Sequence, residues 1–218
     1  MCIRDSPPAD SADEHGIVGV GADLKVETVL EAYCAGLFPM PLQTGGPIAW
    51  WSPDPRAVLP LREFHTSRSL KKSMRSFRFT TNANFEGVVR ACANPNRPHG
   101  WIDQQIVDAY LRLHDRGWAH SVEVLGTDDE LIGGVYGIGI AGFFAGESMF
   151  HTVTDASKAA LHVLVERLEA AGVALFDVQW LTPHLESLGA QEITRSEYLD
   201  RLAVALDRPG PDWRLHLE

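Results

Sequence analysis

Cysteine is scarce in this sequence of 218 residues: Cys2, Cys34 and Cys92 are odd in number and far apart. That excludes a disulfide framework and points to a reducing cytoplasm. No Cys/His cluster has zinc-site spacing, so no structural metal is expected. No apolar run approaches the ~18 residues of a membrane helix. Residues 1–16 are polar and acidic with no apolar h-region, so no signal peptide is read there. Positive charge is short as well, with 19 Lys and Arg against 29 Asp and Glu, net −10. That balance excludes a general DNA- or RNA-coating protein. Walker loop, dinucleotide fingerprint and Gly-x-Ser-x-Gly elbow are all missing. The run Gly133, Gly134, Gly137, Gly139 leads into more strand-like sequence rather than a helix start, so it is no phosphate cradle. No cysteine sits in a nucleophile context, which argues against a covalent intermediate.

What the chain does have is core. Hydrophobic residues make up 45%, too many for a disordered chain. Residues 1–16 read as a ragged tail. A helix follows from an Asp23 cap to about residue 35, stopped by Gly36. Residues 36–56, rich in Pro, Gly and aromatics, read as ordered loop. A short basic helix over 66–75, a strand over 77–81 and helices over 85–93 and 103–116 come next. Strands over 119–125 and 131–140 read as an antiparallel hairpin, with a third strand over about 141–146. A helix from Asp155 or Ser157 to Gly172 precedes the apolar strand 173–180. Thr182-Pro183 opens a short helix, and Thr194-x-x-Glu197 is the capping box of the last one. The order is that of an α+β fold with a mixed sheet.

Four features carry candidate chemistry. Asp177 and Gln179 interrupt an apolar strand two residues apart, hence on one face. They are either a satisfied structural pair or a site at the carboxyl end of a strand. Glu147 lies in Gly142-Phe-Phe-Ala-Gly-Glu-Ser-Met-Phe150, either a solvated turn carboxylate or a site group beside Gly146. Arg62, Arg68, Lys71, Lys72, Arg75 and Arg78 are six of the 19 basic residues within 17 positions. They make a solvated helix face or a phosphate-contacting one. Trp50, Trp51 and Trp101 fall in loops or at a helix start, where they cover a seam or stack on bases.

These segments together resemble the leucyl/phenylalanyl-tRNA–protein transferase family. The resemblance is carried by Gly36-Leu-Phe-Pro-Met40, Trp50-Trp-Ser-Pro-Asp-Pro-Arg56, Ser67-Arg-Ser69, Trp101-Ile102, Ala119-His-Ser-Val-Glu123, Gly146-Glu-Ser-Met-Phe150, Ala156-Ser-Lys158, Asp177-x-Gln179 and Ser187-Leu-Gly-Ala190. They occur in family order across about residues 17–206. The resemblance implies a small N-terminal domain (17–60), an acetyltransferase-like, GNAT-type catalytic domain (61–210) and a C-terminal tail (211–218). It implies transfer of Leu or Phe, less readily Met, from aminoacyl-tRNA to an N-terminal Arg or Lys. The product is an N-end-rule degradation signal in the bacterial cytoplasm. The donor is an activated ester, so no cofactor, ATP or metal is implied. Partners are aminoacyl-tRNA and proteins with N-terminal Arg or Lys, for a monomer that engages neither membrane nor DNA.

The same resemblance assigns roles. Asp177 positions the acceptor amine or accepts its proton, with Gln179 beside it. Glu147 orients the amine of the aminoacyl group. Phe144, Gly146, Met149, Leu161, Leu168 and Phe176 form the aminoacyl pocket. Trp101, with Trp50 and Trp51, stacks near the terminal adenosine, and Arg68, Lys71, Lys72 and Arg75 hold tRNA phosphates. Met40 stands where such families often carry Trp. Two rivals are a GNAT-fold acyltransferase with another donor and a non-catalytic tRNA- or degron-binding module.

Overall fold

The computed structural model describes residues 8–95 and 100–213. The chain forms two sheets. A three-stranded antiparallel sheet has the order β1-β3-β2, from β1 (Ile17–Val20), β2 (Phe38–Pro41) and β3 (Ile48–Trp51). Helix α1 (Val26–Cys34) connects β1 to β2. Residues 36–56 therefore contain the strands β2 and β3 rather than the uninterrupted ordered loop expected. Pro39 and Pro41 hid β2, and they are tolerated because β2 is an edge strand pairing only with β3.

The larger sheet has seven strands in the order β10-β4-β9-β8-β7-β6-β5. They are β4 (Arg56–Val58), β5 (Arg78–Thr81), β6 (Ala119–Leu125), β7 (Leu131–Ile140), β8 (Phe143–His151), β9 (Leu175–Gln179) and β10 (Gln191–Ile193). Only the β8–β9 pair is parallel, joined through α5 (Ala156–Ala170). The remaining helices are α2 (Arg68–Ser73), α3 (Phe85–Cys92), α4 (Gln104–Asp115), α6 (Pro183–Glu186) and α7 (Arg195–Leu206). Ser67, Asn84, Asp103, Thr182 and Thr194 cap α2, α3, α4, α6 and α7 by accepting backbone N–H bonds. Asp23 is not the α1 cap, which is Lys25; its carboxylate accepts from the Thr28 hydroxyl and the Lys25 N–H.

Two apolar clusters form the core. One joins α1, α3, α4 and α7 to β7 and β8 through Tyr33, Ile106, Tyr110, Tyr136, Phe143 and Tyr198. The other places α5 against the sheet through Leu161, Leu164, Leu168, Phe144 and Phe176. The glycines of β7 permit this sandwich. A Cβ on Gly133 would meet Ala156 Cβ at 2.6 Å, and one on Gly134 would meet Val88 Cγ2 at 2.9 Å. The run that fails as a phosphate loop thus lets helices approach both faces of the sheet.

Order starts earlier than residue 17. A helical turn at Ala9–Ser11 buries Ala9, and Asp13 Oδ1 accepts from the His15 and Ile17 N–H groups. At the other end Trp213 stacks on His120 at 4.1 Å, so residues 211–213 dock rather than trail. Residues 1–7 and 214–218 of the two expected tails lie outside the described residues, as do residues 96–99. No helix among the described residues is long and apolar enough to cross a membrane.

Candidate active site

β8 and β9 pair as Phe143↔Leu175, Phe144↔Phe176 and Ala145↔Asp177, and no further pairing follows. β8 also loses step with β7. Tyr136 faces Ser148 and Gly137 faces Gly146, so Glu147 is an extra, bulged residue. A bulge re-aims the side chain it carries. The third strand is thus longer than the expected 141–146, and Glu147 lies inside it.

The gap between the diverging strands is a cavity of about 220 Å³. Its lining includes Val135, Gly146, Glu147, Met149, Leu161, Phe176, Val178, Gln179 and Leu185. Gly146 keeps it open, because a Cβ there would meet Phe176 Cε2 at 2.9 Å. A dry cavity of about 150 Å³ already holds a benzene ring, so this one accommodates an isobutyl or benzyl side chain.

Two carboxyl groups flank the gap. Asp177 is fully buried. Arg56 clamps it with two bonds, Nε to Oδ1 at 2.9 Å and Nη2 to Oδ2 at 2.6 Å. The Tyr198 hydroxyl donates to Oδ2 at 3.1 Å, and the Gln179 backbone N–H donates to Oδ1 at 2.9 Å. Arg56 is itself buried between the Phe38 and Tyr198 rings, 4.6 and 4.3 Å from their centroids. Burial works against the Arg56 cation, but Asp177, Tyr198 and Tyr33 outweigh it and leave its pKa raised. The bidentate geometry is what makes such a buried pair tolerable.

Gln179 follows directly. Its φ of +58° puts a non-glycine residue in the left-handed region, a strain of about 1–3 kcal/mol that persists only where its surroundings enforce it. The bond from its N–H to Asp177 supplies that enforcement. Its side-chain Nε2 is buried and has no hydrogen-bond partner among the described residues. A buried amide donor without an acceptor costs about 1–3 kcal/mol, and it lies in the wall of the cavity.

The other carboxyl has no cationic partner of its own among the described residues. Glu147 Oε1 accepts from the Tyr33 hydroxyl at 2.6 Å and Oε2 from the Tyr110 hydroxyl at 2.7 Å. Burial pushes its pKa up to about 7. The two tyrosine donors and Arg56 pull it down, while Asp177 adds to the rise.

The family whose sequence profile matches residues 58–203 is described as leucyl/phenylalanyl-tRNA protein transferase. The profile of its N-terminal domain matches residues 22–54. Proteins of that name from Stutzerimonas stutzeri and Azotobacter vinelandii are each 47% identical to the chain. The first alignment covers 95% of this chain and 94% of that protein, the second 96% of each. One from Desulfatibacillum aliphaticivorans is also 47% identical, over 100% of this chain and 94% of its own. The chain belongs to this family. A solved structure described as L-PGS from Bacillus licheniformis superposes with a TM-score of 0.43 and 13% identity, covering 60% of this chain and 47% of that one.

Against the roles implied by resemblance to the transferases, the structure sorts the named residues. Glu147, Gln179, Gly146, Met149, Leu161 and Phe176 come together around the cavity. Asp177 lies behind Gln179, all its contacts inside the protein and its side chain off the cavity wall. Phe144 and Leu168 do not reach the cavity. Phe144 is core between Phe176 and Trp213, and Leu168 lies two helical turns beyond Leu161, fully buried against the sheet.

The Trp50 indole is buried and donates to Gly21 O. Trp51 donates to Met40 O and sits edge-on to Trp180 at 5.8 Å. Trp101 packs against the first cluster, half-buried. Arg68, Lys71, Lys72 and Arg75 are exposed, without a carboxylate partner among the described residues. Leu70 and Met74 of the same segment pack on the second cluster, whereas Trp101 packs on the first.

Sequence reasoning gave no role to Arg56, Tyr33, Tyr110 or Tyr198. Arg56 closes the quoted run that begins at Trp50, and an arginine set among apolar residues requires a carboxylate. The three tyrosines lie on apolar helix faces, where each buried hydroxyl requires a partner.

Proposed function

We propose that the gap between β8 and β9 is the aminoacyl site of a transferase. It moves Leu or Phe, and Met less readily, from aminoacyl-tRNA to the N-terminal Arg or Lys of a protein. The reading includes a GNAT-type catalytic unit over about residues 61–210, a cytoplasmic setting and an N-degron as product. The observation that carries it is the unpaired Gln179 amide at the wall of an apolar, side-chain-sized cavity.

The chemistry follows from the donor. The acceptor α-amine, with a reference pKa of about 7.7–8.0, attacks the ester carbonyl when it is neutral. Negative charge then develops on the carbonyl oxygen. Gln179 Nε2–H donates to that oxygen, a bond that strengthens in the transition state. The oxygen returns its electrons, the ribose hydroxyl leaves, and the amine proton passes to it or to water. Asp177 is a positioning residue, holding Gln179 through its backbone with Arg56 and Tyr198 behind. The cavity lining takes the side chain of the transferred residue, where one methylene is worth only about 1–3 kcal/mol of discrimination.

Phosphates of the tRNA lie along α2, whose exposed cations have no carboxylate partner among the described residues, so affinity falls with salt. The acidic remainder of the surface favours a cationic acceptor terminus.

The test is transfer of labelled Leu from Leu-tRNA to peptides that begin with Arg or with Ala. Transfer to the Arg peptide alone supports the reading. Transfer to neither, with tRNA bound at low salt, contradicts it and favours a binding module.

A further inference from the structure

Around Glu147 the contacts form a closed ring. Tyr33 Oη lies 2.6 Å from Oε1, Tyr110 Oη lies 2.7 Å from Oε2, and the two hydroxyls lie 2.9 Å from each other. Each hydroxyl brings one proton, and an ionised carboxylate brings none. An ionised Glu147 leaves two protons for three contacts, so one pair of oxygens would meet with no hydrogen between them. A third proton, on the carboxyl group, fills all three contacts in a head-to-tail circuit.

We propose that Glu147 works as a neutral carboxylic acid, held so by Tyr33 and Tyr110, and that this keeps uncompensated negative charge away from the acceptor amine. The proposal rests on the transferase reading for its second half only.

The surroundings agree with the proton count. The groups facing Glu147 are Tyr33 on α1, Tyr110 on α4, Asp177 on β9 and Arg56 on β4, with Tyr198 on α7 and, through Tyr110, Tyr136 on β7. Arg56 is the one cation among them, and Asp177 holds it by two bonds. Burial raises the Glu147 pKa to about 7. Burial pushes the Tyr33 and Tyr110 hydroxyls well above their ordinary range, so they keep their protons.

The consequence is kinetic. A carboxylate beside an amine favours the ammonium form, which has no lone pair for attack. A neutral acid removes that bias, and its carbonyl oxygen keeps a second lone pair as an acceptor. Tyr33 and Tyr110 act through Glu147, as positioning residues.

Glu147→Gln tests this, because an amide supplies one donor and one acceptor and completes the ring at every pH. Single-turnover transfer is followed from pH 6 to pH 8 in both proteins. The ratio of variant rate to wild-type rate is expected to rise about tenfold from pH 6 to pH 8, as wild type loses the Glu147 proton and the amide does not change. A folded variant whose rate keeps a constant ratio to wild type across that range overturns the proposal.

A second measurement needs neither substrate nor variant. Wild type at pH 6 is expected to show an infrared band of a protonated carboxyl that shifts on ¹³C labelling of glutamate and fades by pH 8. Absence of that band overturns the proposal even if Glu147→Gln fails to fold. A band without transfer at any pH leaves the neutral acid standing and rejects the transferase reading instead.

Discussion

Two carboxyl groups, Asp177 fully buried and Glu147 half-buried, sit on neighbouring strands and solve the same problem in different ways. Asp177 is compensated by a bidentate guanidinium and two further donors. Glu147 is compensated by two tyrosine hydroxyls, with its pKa raised to about 7. The first arrangement is a rigid anchor: its ion pair is enclosed and its effect is transmitted through the Gln179 backbone. The second is a group whose charge responds to its surroundings. Charge compensation by a cation fixes geometry, whereas compensation by neutral donors leaves protonation free to vary.

Breaking the anchor has the largest effect expected. Arg56→Met leaves Asp177 buried without its cation, a loss of about 3–5 kcal/mol in denaturant unfolding. The double change with Asp177→Asn recovers part of that loss, since no buried charge is then left uncompensated. A double variant as unstable as Arg56→Met would show that the packing of Arg56 between Phe38 and Tyr198, rather than its charge, is what matters.

On the other side of the comparison, Tyr110→Phe removes one neutral donor and costs about 1–2 kcal/mol by the same measurement. A cost equal to that of Arg56→Met would erase the distinction between the two sites.

The pH dependence of stability sharpens it further. The folded pKa of Glu147 lies above its ordinary value of 4.5. Its contribution is complete below about 4.5 and is lost as pH rises through about 7, at up to about 1.4 kcal/mol per pH unit. His120, with a pKa lowered to about 3 by burial, works in the opposite sense below its unfolded value near 6.5. The difference between wild type and Glu147→Gln therefore isolates Glu147. That difference is expected to shift in favour of the variant between pH 5 and pH 7.5, and a constant difference would contradict it.

The smallest effect on stability is expected from the exposed cations of α2. Lys71→Ala with Lys72→Ala should leave unfolding within about 0.5 kcal/mol. It should weaken tRNA binding and flatten its salt slope by about one unit for each phosphate that is no longer neutralised.

Much of this was legible in the residues. The hairpin, the β8-α5-β9 unit, the Thr182 and Thr194 helix caps and the Asp177/Gln179 strand follow from periodicity and capping chemistry. Gln179 was singled out because it interrupts an apolar strand together with Asp177, and Glu147 because it stands beside Gly146 at the end of one. What stayed hidden depended on long-range geometry. The bulge that turns Glu147 toward Tyr33 and Tyr110 is a register shift between strands, which no local pattern encodes. The left-handed backbone of Gln179 is enforced by its neighbour Asp177, not by its own residue type. Arg56 meets Asp177 across a separation of 121 residues, through a strand pair that three-residue β4 was too short to announce. Phe144 and Leu168 carry the right chemistry for a pocket but point into the core, a distinction of direction rather than composition.

The most direct test of the central claim concerns Gln179. Single-turnover transfer from Leu-tRNA to an Arg-first peptide is compared between wild type and Gln179→Ala, with tRNA affinity measured alongside. If the unpaired amide meets the developing oxyanion, the rate falls about 10²–10³-fold, as for loss of one oxyanion donor, and tRNA affinity is unchanged. A variant that transfers at the wild-type rate would contradict the assignment of the gap between β8 and β9 as the place where the chemistry occurs.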